Sequence, residues 1–398
     1  MPARELSILL LCGVAASAQI SLVPIEGQRA ETAENLFERA AAEPAMKCAF
    51  KPSAPILNFS LRYEAGYSLE LPARGPNHWI IDTMLRLQLE NTQEKPMFMA
   101  SRTVLPPALQ EQEVVTARFP LSPGTWRIDA LAIDDDGKTC HANWRAEVRD
   151  AAPASANAQQ KLRRIAFFVD SGPIYLASGQ FSPLNVETLT GSLSALLRSL
   201  PAESARVVVF NLDREKESFR SERFQPAELD QATRAIKGAE GGTVDYAKLR
   251  RPLSASEFLA GLINRELRET DPSDVLVFMG AAGQRFRVPR QMIAADGSRP
   301  LFFYIQYAAP RYAGGSVPAA PTGQICNDGD TGRSCVVAPR HAFDPRLRLA
   351  PAAVRDTISD AVAMLGGQTI AVSTPIEFAK ALARIADGAS RHAKVSKP

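Results

Sequence analysis

From Cys48 onward the chain alternates apolar residues with others at a period of two: Phe59, Leu61 and Tyr63, then Tyr67, Leu69 and Leu71, then Leu85, Leu87 and Leu89. Successive side chains of a strand point to opposite faces, so this alternation predicts half-buried antiparallel strands. Residues 119–148 read as a closing hairpin, with Trp126, Ile128 and Ala130 on one face, Asp136-Gly137 at the turn and a return from Cys140. After residue 162 the pattern changes. Apolar runs at 165–169, 207–210, 275–279, 301–305 and 369–372 are bounded by turns and apolar on both faces. Helical patterns separate them at 186–200, 226–236, 254–267, 353–365 and 375–385; in the first, Leu189, Leu193, Leu196 and Leu197 share one face. Buried strands alternating with helices predict a doubly wound α/β sheet with right-handed crossovers. Residues 218–224 add a short antiparallel edge strand to it.

The break between the two patterns is RDAAPASANAQQKL, residues 149–162, small and polar as an interdomain linker is. Residues 19–46 are Ala/Glu-rich, with one short helix predicted around 30–42, and read as a tether. That leaves 47–148 as an all-β domain of short strands, tied first to last by a cysteine pair, which points to an immunoglobulin-like sandwich. Residues 163–390 form the α/β domain, interrupted by a long loop at 308–351, and 391–398 are a basic tail. At the other end Arg4, the apolar run 8–16 and Ala16-Ser17-Ala18 before Gln19 make residues 1–18 a secretory signal peptide, too short to span a bilayer. No later segment is apolar for long enough to cross, so the mature chain is expected to be exported, periplasmic or secreted, without a transmembrane span.

Removing the signal takes Cys12, which follows Leu11 where a lipoprotein signal has a small residue, and leaves Cys48, Cys140, Cys326 and Cys335. An even number in an oxidising compartment predicts disulfides, with three connectivities open; Cys48–Cys140 and Cys326–Cys335 are favoured, the first bracketing a domain and the second closing a short loop. A zinc site finds no C-x-x-C, and His78, His141, His341 and His392 are scattered without ligand spacing. A net charge of +3, with no basic stripe interleaved with aromatics, argues against a nucleic-acid partner.

The α/β region also carries a family likeness. RIAFFVDSGP (164–173), NVETLTGSLSALLRSLP, RVVVFNLD, GGTVDYAKL (241–249) and SDVLVFMGAAG (273–283) come in the order of the first strand and loop, first helix, second strand, Gly-Gly-Thr loop and next strand of a von Willebrand factor A (vWA) domain. Residues 163–390 resemble that fold, and more closely the vWA-related secreted proteins of Acidobacteria. The resemblance implies a binding or adhesion role in which a divalent metal sits at the carboxyl ends of the strands. Five oxygen-bearing residues hold that metal in the family. Asp170 matches the first aspartate and Thr243 the threonine, but the two serine places are Gly172 and Ile174, and the second aspartate is Gly280. Magnesium and manganese need near-octahedral oxygen ligation. Asp170 and Thr243 alone make a degenerate site, so no metal and no cofactor are expected.

Other polar residues share the same predicted rim: Ser171, Asn211, Asp213, Asp245, Tyr246, Gln284 and Arg285. With Asp170 and Thr243 they form a candidate recognition face, against the plainer reading that each caps a helix or satisfies a turn. Ser171 follows a strand as a hydrolase nucleophile does, yet Val169-Asp170-Ser171-Gly172-Pro173 is not G-x-S-x-G, and Pro173 disturbs the helix start an oxyanion hole needs. Asp134-Asp135-Asp136 reads as a solvated hairpin turn rather than a calcium loop, and Asn327-Asp328-Gly329-Asp330 has too few ligands for one. The expectation is an exported, non-enzymatic protein-interaction or adhesion module that binds a protein or glycan without a metal. Its alternatives are metal-dependent adhesion through Asp170 and Thr243 and a serine hydrolase using Ser171.

Overall fold

The computed structural model describes residues 18–40, 45–72, 79–105, 112–149, 162–172, 174–175, 181–182, 186–200, 202–238, 254–293, 300–308, 311–312, 325–329, 332–336, 348–349 and 351–395. The protein is a mixed α/β chain with several sheets. It divides into two units, residues 1–56 with 62–150, and residues 57–61 with 151–398.

The first unit runs through β1 (Ala18–Ser21), β2 (Val23–Ile25), α1 (Gln28–Arg39), β3 (Ala49–Leu57), β4 (Tyr63–Pro72), β5 (Trp79–Leu89), β6 (Met97–Leu105), β7 (Gln112–Leu121), β8 (Gly124–Asp134) and β9 (Thr139–Val148). A four-stranded sheet has the order β1-β7-β4-β3 and a five-stranded antiparallel sheet the order β2-β6-β5-β8-β9. Period-two alternation sends Leu69, Leu71, Val115 and Phe119 of the first and Ile81, Leu85, Ile128 and Ala130 of the second into one core. Cys48 and Cys140 are joined by a disulfide, with Cα atoms 6.2 Å apart. Residues 19–46 are read from the sequence as a tether with a helix, yet the chain at Ala18–Ser21 and Val23–Ile25 supplies an edge strand to each sheet as well. Strands this short show no alternation to read. Helix α1 then covers the outer face of the five-stranded sheet, Ala33 and Phe37 packing with Met84, Phe98 and Leu131. Arg86 lies 5.1 Å from the Phe37 ring and pairs with Glu34 and Asp129.

At the β8–β9 turn, Asp134 Oδ1 accepts from the backbone N–H of Asp136 (3.0 Å) and of Lys138 (2.8 Å), and Gly137 adopts φ +75°. The carboxylates of Asp134, Asp135 and Asp136 do come within 4.8 Å of one another, but the first is engaged in shaping the hairpin.

The second unit contains β10 (Leu162–Asp170), β11 (Ile174–Tyr175), β12 (Phe181–Ser182), α2 (Val186–Ser199), β13 (Ala202–Asn211), β14 (Lys216–Ser221), α3 (Leu229–Gly238), α4 (Ser254–Leu267), β15 (Val275–Ala281), β16 (Leu301–Tyr307), β17 (Arg311–Tyr312), β18 (Ile325–Gly329), β19 (Gly332–Val336), β20 (Arg348–Leu349), α5 (Thr357–Met364), β21 (Gln368–Val372) and α6 (Pro375–Val395). Its main sheet has the order β14-β13-β10-β15-β16-β21, parallel throughout except for β14, which runs antiparallel to β13. Counted along the sheet's own chain order this is 3-2-1-4-5-6. Both faces are covered. Ile165, Phe167 and Val169 of β10 pack with Leu189 and Leu193 of α2, Ile236 of α3 and Phe378 and Leu382 of α6. Ala166 and Phe168 pack on the other side with Leu259 and Ile263 of α4 and Ile358 and Val362 of α5. Near the amino ends of the strands the buried Arg206 of β13 pairs with the buried Glu266 of α4 and with Glu222, and Ser273 Oγ donates to Glu266 Oε1 at 2.7 Å.

Some expected boundaries move. Residues 58–61, which belong to the second unit, are a turn between strands, with Leu61 at φ +54°, and Phe59 packs on Tyr307 and Phe378 of that same unit. The predicted helix at 353–365 begins only at Thr357, because Asp356 takes the extended conformation of an N-cap and accepts from the Ser359 N–H. Helix α6 continues to Val395, into the stretch read as a basic tail. Among the described residues no helix is long and apolar enough to cross a membrane.

Candidate functional site

Strand β10 is central, and the chain leaves it first toward β13 on one side and later for β15 on the other. At such a reversal the connections diverge and open a crevice outside the carboxyl ends of the strands. The last residue of β10 is Asp170.

Asp170 is 4 % exposed. Its Oδ1 accepts from the N–H of Gly172 at 3.1 Å and of Leu212 at 3.2 Å, which clamps the loop after β10 to the end of β13. Burial pushes its carboxyl up to about 7, helped by the neighbouring charge of Asp213 and, less, of Asp356; the two backbone donors pull the other way. Ser171 adds to the clamp, its N–H and its hydroxyl both donating to the Phe210 carbonyl at 2.8 and 2.9 Å. Asn211 is buried and its Oδ1 accepts from the Arg214 N–H, three residues on, at 3.0 Å, which shapes the end of β13. Asp213, two residues on, is exposed.

On the opposite side of Asp170 lies Gly280, one step beyond the Val169–Met279 pair of β10 and β15. A Cβ at this glycine would fall 2.8 Å from Asp170 Cβ and 3.1 Å from its carbonyl oxygen. Real Cβ atoms do not approach so closely, so the strand spacing depends on the absence of a side chain here. One at Gly172 would meet Asp170 Oδ1 at 3.3 Å.

A second buried carboxylate supports the same end of the sheet and was not singled out from the sequence. Asp356 Oδ2 accepts from the N–H of Gly283 (3.1 Å) and from Gln306 Nε2 (2.9 Å), with the Tyr304 hydroxyl at 3.0 Å. Its Oδ1 caps α5 through the Ser359 N–H at 2.7 Å. Tyr304 is held well above its ordinary range, first by burial and then by the charges of Asp356 and Asp170. The signal was present as Asp356-Thr357-Ile358-Ser359 ahead of an apolar run, the pattern of an N-cap. What no local pattern shows is that the same carboxylate joins the loop after β15 to strand β16.

Arg285 is a half-exposed partner of Asp360, Nε to Oδ2 2.9 Å, and the Gln284 carbonyl accepts from Thr357. Asp170, Ser171, Asn211 and Asp213 therefore meet at the junction of β10 and β13, while Arg285 is held against α5. Thr243, Asp245 and Tyr246 lie outside the described residues, as do Pro173 and His341. Cys326 and Cys335 stand opposite each other in the register of β18 and β19.

The residues do not fit the five-oxygen metal set of the vWA resemblance. Gly280 offers no carboxylate and no room for one, Gly172 offers no side-chain oxygen, and Asp170 is engaged with backbone donors. Ser171 is committed to a backbone carbonyl rather than to a base.

No protein-family model matches the chain. No curated protein matches it either. Solved structures matched to parts of it include a superoxide reductase (neelaredoxin) of Ignicoccus hospitalis, at 20 % identity over 28 % of this chain and 91 % of that one, with a TM-score of 0.21. The reduced superoxide reductase (neelaredoxin) of Archaeoglobus fulgidus gives 8 % identity, 27 % and 91 % coverage and 0.19. The putative ApaA protein of Bordetella pertussis gives 14 % identity, 27 % and 99 % coverage and 0.19. Similarity at this level supports no statement about fold or activity.

Proposed function

We propose that this is an exported, non-enzymatic protein-interaction or adhesion module, with an immunoglobulin-like sandwich followed by a vWA-like domain that works without a metal. The strand order 3-2-1-4-5-6 with β14 antiparallel supports the vWA-like reading, since it agrees with the resembling segments in sequence. The observation that carries the metal-independent part is the approach of Gly280 to Asp170, which leaves no space for the second carboxylate of a metal shell. A protein or glycan partner would dock on the rim at the carboxyl ends of the strands, the face assigned from the sequence to Asp170, Thr243, Asp245 and Arg285. That last step rests on likeness of fold.

Thermal unfolding with and without magnesium or manganese tests this reading. A ligand that binds only the folded state raises its melting temperature. No shift is expected from either ion. A rise that disappears in Asp170→Ala would replace the proposal with metal-dependent adhesion, and covalent labelling of Ser171 by a serine-hydrolase probe would replace it with a hydrolase. Capture of a partner by the wild type but not by Arg285→Glu would place docking on the proposed rim.

A further inference from the structure

We infer that the mature chain begins with a pyroglutamate formed from Gln19. The inference rests on the export reading, which puts signal cleavage between Ala18 and Gln19. In the folded chain that bond lies inside β1, Ala18–Ser21, the edge strand of the four-stranded sheet. Strand β1 runs parallel to β7, with Gln19 opposite Thr116, Ile20 opposite Ala117 and Ser21 opposite Arg118. Cleavage therefore creates an α-amine at the first residue of a paired strand, not in a loose tail.

A free α-amine has a pKa of about 7.7–8.0 and is largely protonated at neutral pH. A strand ladder is built from neutral amide N–H groups, and an ammonium at its first rung must stay hydrated. Glutamine is the residue that removes the charge by its own chemistry. Its α-nitrogen attacks Cδ of its own carboxamide and closes a five-membered lactam. The N–Cδ bond forms, the Cδ–Nε2 bond breaks, and Nε2 departs as ammonia with a proton from the attacking amine. No oxidant, reductant or water is consumed. The product is a neutral amide N–H at the start of β1.

The test is mass spectrometry of the amino-terminal peptide from full-length protein recovered from the exported fraction. An amine-reactive label is added at the moment of recovery, so that cyclisation during handling is not counted. An unlabelled peptide starting at residue 19 and lighter than the glutamine form by one ammonia is expected. A labelled peptide starting at an intact Gln19 would overturn the inference and leave the export reading standing. A start at Met1 or elsewhere would overturn the export reading, and this inference with it. The variant Gln19→Ser, which cannot cyclise, should carry the label quantitatively.

Discussion

Asp170 offers the sharpest perturbation, because its carboxyl is pushed from an ordinary 3.8 up to about 7 by burial and by Asp213. The folded chain holds this proton up to about pH 7, whereas the unfolded chain releases it near pH 4. Between those values the folded state binds more protons, so stability must fall as pH rises. The contribution is fully present below the unfolded value and lost above the folded one. At about 1.4 kcal/mol per unit the full difference is roughly 4 kcal/mol. With only 4 % exposure, solvent screening does little to reduce it. Asp170→Asn keeps an oxygen for the Gly172 and Leu212 donors and cannot ionise. Its stability relative to wild type should therefore grow with pH from about 4 and level off near 7, having gained roughly 4 kcal/mol over the difference at low pH. Urea unfolding across this pH range measures it, monitored by the helical circular-dichroism signal. Parallel pH profiles for the helical transition of the two proteins would refute the reasoning.

Gly280→Ala should lose roughly 1–3 kcal/mol by forcing β10 and β15 apart, and an unchanged urea midpoint would contradict the close approach to Asp170. Glu266→Ala leaves the Arg206 guanidinium buried with its main partner removed and should cost about 3–5 kcal/mol. Arg285→Ala breaks a half-exposed pair and should cost less than about 1 kcal/mol, so equal midpoints for these two variants would refute that ranking. Thiol titration of the exported, denatured protein should find no free thiol, and two would remove the Cys326–Cys335 pairing while leaving Cys48–Cys140.

The central strands of the second unit's main sheet, β10, β13, β15 and β16, are legible in the sequence because their apolar runs are buried on both faces. An apolar run such as 165–169 reads the same however its neighbours are arranged, and the structure extends it only to Leu162–Asp170. Helix α2 is equally plain, its leucines repeating on one face over residues 186–199. Phe59 misleads for an instructive reason. It continues the alternation of Leu61 and Tyr63, but periodicity cannot distinguish a strand residue from a turn residue that finds its own apolar partners, here Tyr307 and Phe378. Residues 18–25 escape a sequence reading for a different reason: a three- or four-residue edge strand is defined by its pairing with β6 or β7, and that pairing is not local information.

The site divides along the same line. Asp170 can be found from sequence because it ends an apolar run, and strand ends are where side chains leave the sheet for the crevice. Its environment cannot. The donors from Leu212 and Gly172, the charge of Asp213 and the contact with Gly280 come from different strands and loops, and only the register of β10 with β13 and β15 brings them together. Gly280 makes the difference concrete. In sequence it is a missing ligand, a gap that a single substitution to aspartate should fill. In the structure the backbone has closed over that gap, so an aspartate there would first have to push Asp170 aside. Restoring one carboxylate should therefore cost stability before it could gain any affinity for an ion. The loss of the metal set, on the proposed reading, is thus built into the spacing of two central strands, beyond the identity of one side chain.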